Sequence, residues 1–390
     1  MKIEEVKISN ILSFHNFELK LADKNIIIGT NGTGKSNFAD LINNSVQCNY
    51  FNDFKSKYPI QYNSKIMLYI SLNPDEINDL IDFVLINYFT NIINNPNENQ
   101  QEIAGKINSD DFKSYRDKIK DKNWFKDLIL SLQDNQNNKL QFTNLTGSSF
   151  YVNDMDIILQ KIGDIIYPDK KIISSCSSNS FNNFFENNYY ALKLFKKYIS
   201  ENKYITYNNL YNFNDYVLDK IKNKIKYIEN YNGQDCAKDL LELKKKQDIL
   251  DTRFTTIKDN FKRTMNYDID VTEKDDGDDK GKPYLYMIVE NSKYEDLSKG
   301  QKELIYLLTK LYKDDNSIIL IDEPVTGLSC QNKYKFREVV LENDNNNMSQ
   351  YILITHDKDL ISEKNCDKII RFHMDDNNKT VGTSLKNIFL

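Results

Sequence analysis

Eight consecutive residues, Gly29-Thr30-Asn31-Gly32-Thr33-Gly34-Lys35-Ser36, have the types and spacing needed to grip a phosphate chain. Glycines let backbone N–H groups wrap the phosphates, and the N-terminus of a following helix adds partial positive charge. Lys35 can reach the β- and γ-phosphates, and the Ser36 hydroxyl can ligate Mg²⁺. Such a loop must hang between a buried strand and a helix. Asn25-Ile26-Ile27-Ile28 reads as that strand, and Ser36-Asn37-Phe38-Ala39-Asp40-Leu41-Ile42 as the first turns of the helix. An ordinary Gly-rich turn would need neither neighbour. The pattern implies a nucleoside triphosphate site.

A second cluster lies far downstream. Leu297-Ser298-Lys299-Gly300-Gln301-Lys302-Glu303-Leu304 precedes an amphipathic helix whose apolar stripe is Leu304, Ile305, Leu307, Leu308 and Leu311. A hydrophobic strand follows and ends in acids, Ile318-Ile319-Leu320-Ile321-Asp322-Glu323-Pro324. Another, Tyr351-Ile352-Leu353-Ile354, ends at Thr355-His356-Asp357. This pattern places carboxylates at the carboxyl edge of a parallel sheet, where α/β folds bind ligands. Asp322 there can hold Mg²⁺, and Glu323 can orient or deprotonate an attacking water. A buried strand ending in Asp-Glu is common by itself; the order and combination are not.

Taken together these residues resemble an ABC-type ATPase head. The resemblance makes residues 29–36 Walker A, 297–301 the signature motif and 318–323 Walker B. It places Gly327-Leu328-Ser329 in the D-loop and makes His356 the switch histidine. The chain is most similar to the DNA-linked branch, the Rad50, SMC, RecF and OLD-like ATPases. The opening run Val6-Lys7-Ile8-Ser9-Asn10-Ile11-Leu12-Ser13-Phe14-His15-Asn16-Phe17-Glu18-Leu19 resembles the strand pair that starts those proteins. Asn31-Gly32 within the loop and Asn37 after it resemble their G-x-N-G-x-G-K-S-N form.

The resemblance implies an α/β fold: a P-loop head with a mixed, mostly parallel sheet, flanking helices and a small antiparallel β lobe, carrying a large, mostly helical insertion. It implies ATP and Mg²⁺ as ligands. Gly29, Asn31, Gly32, Gly34, Lys35, Ser36 and Asn37 would hold nucleotide, with Ser298, Gly300 and Gln301 acting on the nucleotide of a second subunit. Ser36 and Asp322 would hold the metal, and Glu323 and His356 would serve catalysis.

Departures from the pattern bear on turnover more than on binding. Lys299 replaces the first glycine of L-S-G-G-Q, Leu12 stands where many relatives carry a basic residue, and Ser329 replaces an acidic or His residue of the D-loop. Gln141, in the strand-like Lys139-Leu140-Gln141-Phe142, is the candidate Q-loop residue.

The 390 residues allow one large domain plus an inserted one. The head is expected over residues 1–75 and 266–390, with the insertion over 76–265. Lys65-Ile66-Met67-Leu68-Tyr69-Ile70 reads as a strand of the antiparallel lobe. A helix should follow, with Asn73 as cap, Pro74 in the first turn and Glu76 closing a capping box; Ile77, Leu80, Ile81, Val84 and Tyr88 form its buried stripe. Val217, Ile221, Ile225 and Ile228 recur at helical spacing, as do Leu243, Leu250, Phe254, Ile257 and Phe261. With Asn230-Tyr231-Asn232-Gly233 as the turn, residues 214–265 read as an antiparallel helical hairpin, placed where Rad50- and SMC-like proteins emit their coiled coil. Two ordinary core helices would show the same stripes.

The sequence has no run of 18 or more apolar residues and no secretory start, which points to a cytoplasmic protein that does not enter a membrane. Five cysteines without a C-x-x-C pair read as incidental thiols. A net charge of −5 excludes a general polycation, so any DNA contact needs a local patch. Candidates are Lys220, Lys222, Lys224 and Lys226, then Lys244-Lys245-Lys246, then Lys193, Lys196 and Lys197, although a charge run on a helix is usually a solvated face. The acidic run Asp275-Asp276-Gly277-Asp278-Asp279 lacks the distal Glu of a calcium loop and reads as a hairpin turn.

The expected function is therefore a DNA-linked ATPase of repair or antiviral defence, closed by ATP into a head-to-tail dimer. Only 34 residues follow His356, so a nuclease or other effector is expected as a separate partner. A transporter's ATPase subunit is the first alternative, and a scaffold that only binds ATP is the second.

Overall fold

The computed structural model describes residues 1–48, 51–58, 60–94, 114, 117, 119, 127–133, 139–142, 150–151, 213–228, 236–247, 252–273, 283–287, 292–293, 296–313, 317–342 and 348–385. Its centre is a six-stranded sheet in the order β15-β14-β3-β13-β12-β8. These strands are Thr380–Leu385 (β15), Lys368–Met374 (β14), Lys24–Gly29 (β3), Met348–Ile354 (β13), Ser317–Asp322 (β12) and Ile225–Ile228 (β8). All neighbours run parallel except β15, which pairs antiparallel with β14. Every residue of β12 is buried, as a strand covered on both faces must be.

Two apolar layers enclose this sheet, and the alternation along the strands assigns each side chain to one of them. Ile318, Leu320, Ile352 and Ile354 join a core with α1 (Lys35–Gln47), α2 (Phe51–Lys57) and the antiparallel lobe. Ile319, Ile321, Tyr351 and Leu353 join the opposite core with α6 (Arg253–Met265) and α7 (Lys299–Tyr312). Leu304, Ile305 and Leu308 of α7 are fully buried there. Each such side chain contributes about 1.5–3 kcal/mol, which fixes the helix that Ser298 caps.

The antiparallel lobe is a six-stranded sheet, β2-β1-β4-β5-β6-β7. It is built from Phe17–Lys20 (β2), Lys2–Ile11 (β1), Ile60–Ser71 (β4), Asp127–Gln133 (β5), Lys139–Phe142 (β6) and Phe150–Tyr151 (β7). The opening strand pair and the strand around Lys65 form as the sequence predicts. Gln350 of β13 clamps the lobe to the central sheet: its Oε1 accepts the Ile3 N–H at 2.8 Å, and its Nε2 donates to the Ile3 and Ala22 carbonyls, both at 2.8 Å. The helix after the lobe strand, α3 (Pro74–Asn94), has the expected capping box. The Glu76 N–H reaches Asn73 Oδ1 and the Asn73 N–H reaches Glu76 Oε2, each at 2.9 Å. Ile77, Leu80, Ile81 and Val84 are buried; the Tyr88 side chain lies outside the described residues.

The helical hairpin expected over 214–265 does not form. Residues Phe213–Lys224 make a helix (α4), but the chain then enters β8, which pairs in parallel with β12 in the register Ile225 to Ile318 and Ile228 to Ile321. Residues three apart on a strand face opposite ways, and Ile225 and Ile228 lie in the two different cores. A spacing read as helical was the spacing of a strand buried on both faces. Two helices follow among the described residues, α5 (Ala237–Lys245) and α6. The α6 helix packs on α7, where Asn260 Nδ2 donates to the Tyr312 hydroxyl at 2.8 Å. Part of the span assigned to an insertion therefore completes the central sheet. A three-stranded antiparallel sheet, Ser292–Lys293 (β11), Pro283–Met287 (β10) and Ile269–Glu273 (β9), stands apart from it in strand pairing. The acidic run at 275–279 and the lysines 193, 196 and 197 lie outside the described residues.

Candidate nucleotide site

The phosphate loop leaves β3 and enters α1, as its sequence requires. At Gly29 the backbone passes so close to β14 that an added Cβ would collide with the Phe372 carbonyl oxygen. Gly34 holds φ 88°, in the left-handed region, and an added Cβ would also meet Thr380 Oγ1 at 2.8 Å. Helix α1 has no side-chain cap and no acid in its first turn, so its leading N–H groups are left for an anion. Lys35 spans the loop, its Nζ donating to the Gly29 carbonyl at 2.9 Å and the Thr30 carbonyl at 3.0 Å. Asn31, Gly32, Ser36 and Asn37 are exposed. From below, Thr380 Oγ1 reaches the Thr33 carbonyl at 3.2 Å and Ser13 Oγ at 2.6 Å, which braces the loop against the turn after β1.

The acids arrive at the same edge by register. Ile354 of β13 is level with Asp322 on one side and Ile27 of β3 on the other. Two strand spacings, ~10 Å, therefore separate the Asp322 strand from the strand that feeds the loop. Asp322 is buried; its Oδ2 accepts the Tyr227 hydroxyl at 3.2 Å and its Oδ1 has no hydrogen-bond partner. A buried carboxylate oxygen without a donor costs free energy unless a cation meets it. Oxygen ligands are what Mg²⁺ takes, so Asp322 and the exposed Ser36 hydroxyl fit that ion. Glu323 turns out of the strand at φ 47°, with its N–H on the Ile354 carbonyl at 2.9 Å. Its Oε1 lies 2.7 Å from His356 Nδ1.

Ser298, Gly300 and Gln301 form a second group around the start of α7. Ser298 caps the helix: its hydroxyl accepts the Gln301 N–H at 3.3 Å, and Gln301 Oε1 accepts the Ser298 N–H at 2.8 Å. Gly300 packs on Gly327 and Leu328. Gln141 is on β6 of the antiparallel lobe, and its side chain lies outside the described residues.

Three structural contributors escape a reading of the sequence. Tyr227 reaches Asp322 from β8, a strand hidden behind a helical spacing. Glu303 is buried on α7 and receives the Gly327 N–H at 2.7 Å. A charged residue inside the apolar stripe of a helix was the available signal. Lys333 of α8 (Cys330–Phe336) bonds Asp357, next to His356, at 2.6 Å. Burial pushes the Asp357 carboxyl up, but the Lys333 ammonium and the Asp359 N–H together hold it below its ordinary value. The hydrogen bond to Asp357 raises Lys333 in turn.

Four lysines of the candidate basic runs are paired. Lys220 bonds Asp79, Lys244 bonds Asp270, Lys245 bonds Glu273 and Lys246 bonds Glu242. Residues 244–246 thus form a charge-balanced surface.

The profile of the AAA ATPase domain matches residues 1–361. The chain belongs to that family. This AAA ATPase domain is also 35% identical over 75 residues to a protein described as probable ABC transporter ATP-binding protein p29 of Mycoplasma pneumoniae; the match covers 19% of the chain and 30% of that protein. Among solved structures it is similar to an SMC head bound to the C-winged helix domain of ScpA, at a TM-score of 0.47 and 14% identity over 100% of this chain and 98% of the other. A similar value, 0.45 at 12% identity, relates it to the SMC head domain of Thermotoga maritima, over 99% and 100% of the two chains. No helix among the described residues of the AAA ATPase domain is long and apolar enough to cross a membrane.

Proposed function

We propose that the chain binds ATP with Mg²⁺ and hydrolyses it, and that nucleotide closes two copies head to tail. One observation carries the chemistry: a carboxylate, Glu323, held by His356 at the sheet edge that also presents the Lys35 loop and the unsatisfied Asp322 oxygen. Lys35 and the N–H groups at the start of α1 hold the phosphates. Ser36 and Asp322 would hold Mg²⁺, which would supply neutralising charge for the phosphate oxygens. Glu323 accepts the proton of the attacking water, and His356 keeps the carboxylate turned to it. Ser298, Gly300 and Gln301, at the N-terminus of a 14-residue helix without acids in its first turn, offer a second anion site to the partner subunit's nucleotide.

The dimer would act on DNA or on a separate nuclease or effector, in repair or antiviral defence. The sequence likeness of Asn31, Gly32 and Asn37 to DNA-linked ATPases supports that reading. The match to the p29 protein supports a second, an ATPase subunit of a transporter. Phosphate release by purified protein tests the chemistry: it should need Mg²⁺ and fall on the order of 10²-fold or more in Glu323→Gln. Turnover unaffected by that substitution would overturn it. Purification from the native host then separates the two settings, since a nuclease partner supports the first and a membrane permease the second.

A further inference from the structure

We infer that Glu303 is a positioning residue that locks the D-loop to the signature helix, so that both reach the partner subunit's nucleotide as one rigid surface. The inference rests on the ATP-closed dimer proposed above.

Glu303 is 4% exposed, an uncommon place for a carboxylate. Its Oε2 accepts the Gly327 N–H at 2.7 Å and its Oε1 accepts the Thr326 hydroxyl at 3.3 Å. The Lys299 ammonium stands 3.6 Å from Oε1, one helical turn earlier. Lys299 is the residue that departs from the L-S-G-G-Q pattern, and here it supplies the countercharge for this carboxylate. Buried charge is tolerated only when paired and hydrogen-bonded, so these donors fix where Glu303 lies.

The contact is continued by the backbone. An added Cβ on Gly300 would lie 2.5 Å from the Gly327 carbonyl oxygen and 3.0 Å from Leu328 Cδ2. Only a glycine lets the D-loop rest directly on the first turn of α7. Within the loop, Val325 holds φ 55°, a conformation that a β-branched residue keeps only when its surroundings enforce it. Val325 and Leu328 are both buried, and the Leu328 N–H closes the turn on the Val325 carbonyl at 3.1 Å. The signature residues Ser298 and Gly300 and the loop residues Thr326 and Gly327 therefore share one support, and Glu303 is its polar centre.

The test is Glu303→Ala beside Glu303→Gln, whose amide oxygen can still accept the Gly327 N–H. ATP affinity of the single subunit should stay within about twofold, because the loop around Lys35 is untouched, while turnover of the Ala variant falls on the order of tenfold or more, as the charge-assisted hydrogen bonds from Gly327 and Thr326 are lost. The Gln variant should recover most of the turnover. Should Glu303→Ala fail to fold, Glu303→Met fills the volume without an acceptor and carries the same expectation. Wild-type turnover in a folded Ala or Met variant overturns the inference, and so does a Gln variant as impaired as Ala. A parallel loss of ATP affinity in the single subunit does so too. ATP-dependent dimerisation of Glu323→Gln is measured alongside. Its absence defeats the dimer reading itself, whereas its presence with a fully active Glu303→Ala defeats only the role of Glu303.

Discussion

Nδ1 of His356 lies 2.7 Å from Oε1 of Glu323, although the two are 33 residues apart in sequence. They meet because each follows the carboxyl end of its strand and the two strands, β12 and β13, are parallel neighbours. With its proton on Nδ1, His356 donates to the carboxylate and sets its direction.

Replacing the carboxylate separates binding from chemistry. Glu323→Gln keeps the shape and loses the base, so ATP should bind with unchanged affinity while phosphate release drops on the order of 10²-fold or more. Calorimetry and a turnover assay on the same preparation read both. His356→Ala should lower turnover in the same sense and leave affinity alone.

Lys35→Ala removes the ammonium that spans the loop. Charge-assisted contacts of this kind are worth about 1.5–3 kcal/mol, so ATP affinity should fall by roughly ten- to a hundredfold. Unchanged affinity would place the phosphates elsewhere.

Tyr227→Phe tests the unexpected strand β8. The hydroxyl holds Asp322 Oδ2, while Oδ1, without a hydrogen-bond partner, would meet the proposed metal. Its loss should weaken binding of Mn²⁺, used in place of Mg²⁺, by about fivefold in the presence of ATP, the effect of one hydrogen bond of ~1 kcal/mol. Electron paramagnetic resonance of free Mn²⁺ measures it without reference to turnover. Identical titrations for the two proteins would show that the tyrosine does not orient the carboxylate.

The Lys333–Asp357 pair predicts a pH signature in stability. The folded Asp357 titrates below its ordinary value of 3.8, so its contribution is complete above that pH and is lost as pH falls through the depressed value. Lys333 is raised above 10.5, so its contribution is complete below that pH and is lost as pH rises through the raised value. The stability difference between wild type and Lys333→Met should therefore be flat between those limits and shrink outside them. Urea denaturation across pH reads it, and a difference that grows on acidification below 3.8 would contradict the pairing.

The parts of the fold around the Lys35 loop were legible because local rules agree there. The loop from Gly29 to Ser36 has its strand and helix adjacent in sequence, and Asn73 and Glu76 announce a helix start on their own. Strand β8 was not legible, since Val217, Ile221, Ile225 and Ile228 satisfy a helical period until the sheet partner is known. Long-range pairing with β12, not local preference, makes Ile225 and Ile228 a strand. The same limit hid Tyr227 and the partner of Glu303. Nothing local shows that a tyrosine will meet Asp322 across 95 residues, or a glutamate Gly327 across 24.

Nucleotide-driven closure is tested most directly by the sedimentation of Glu323→Gln with and without Mg²⁺ and ATP. A monomer is expected without nucleotide and a species of twice the mass with it, abolished by adding Ser298→Arg to the same chain. The same mass in both conditions would contradict it.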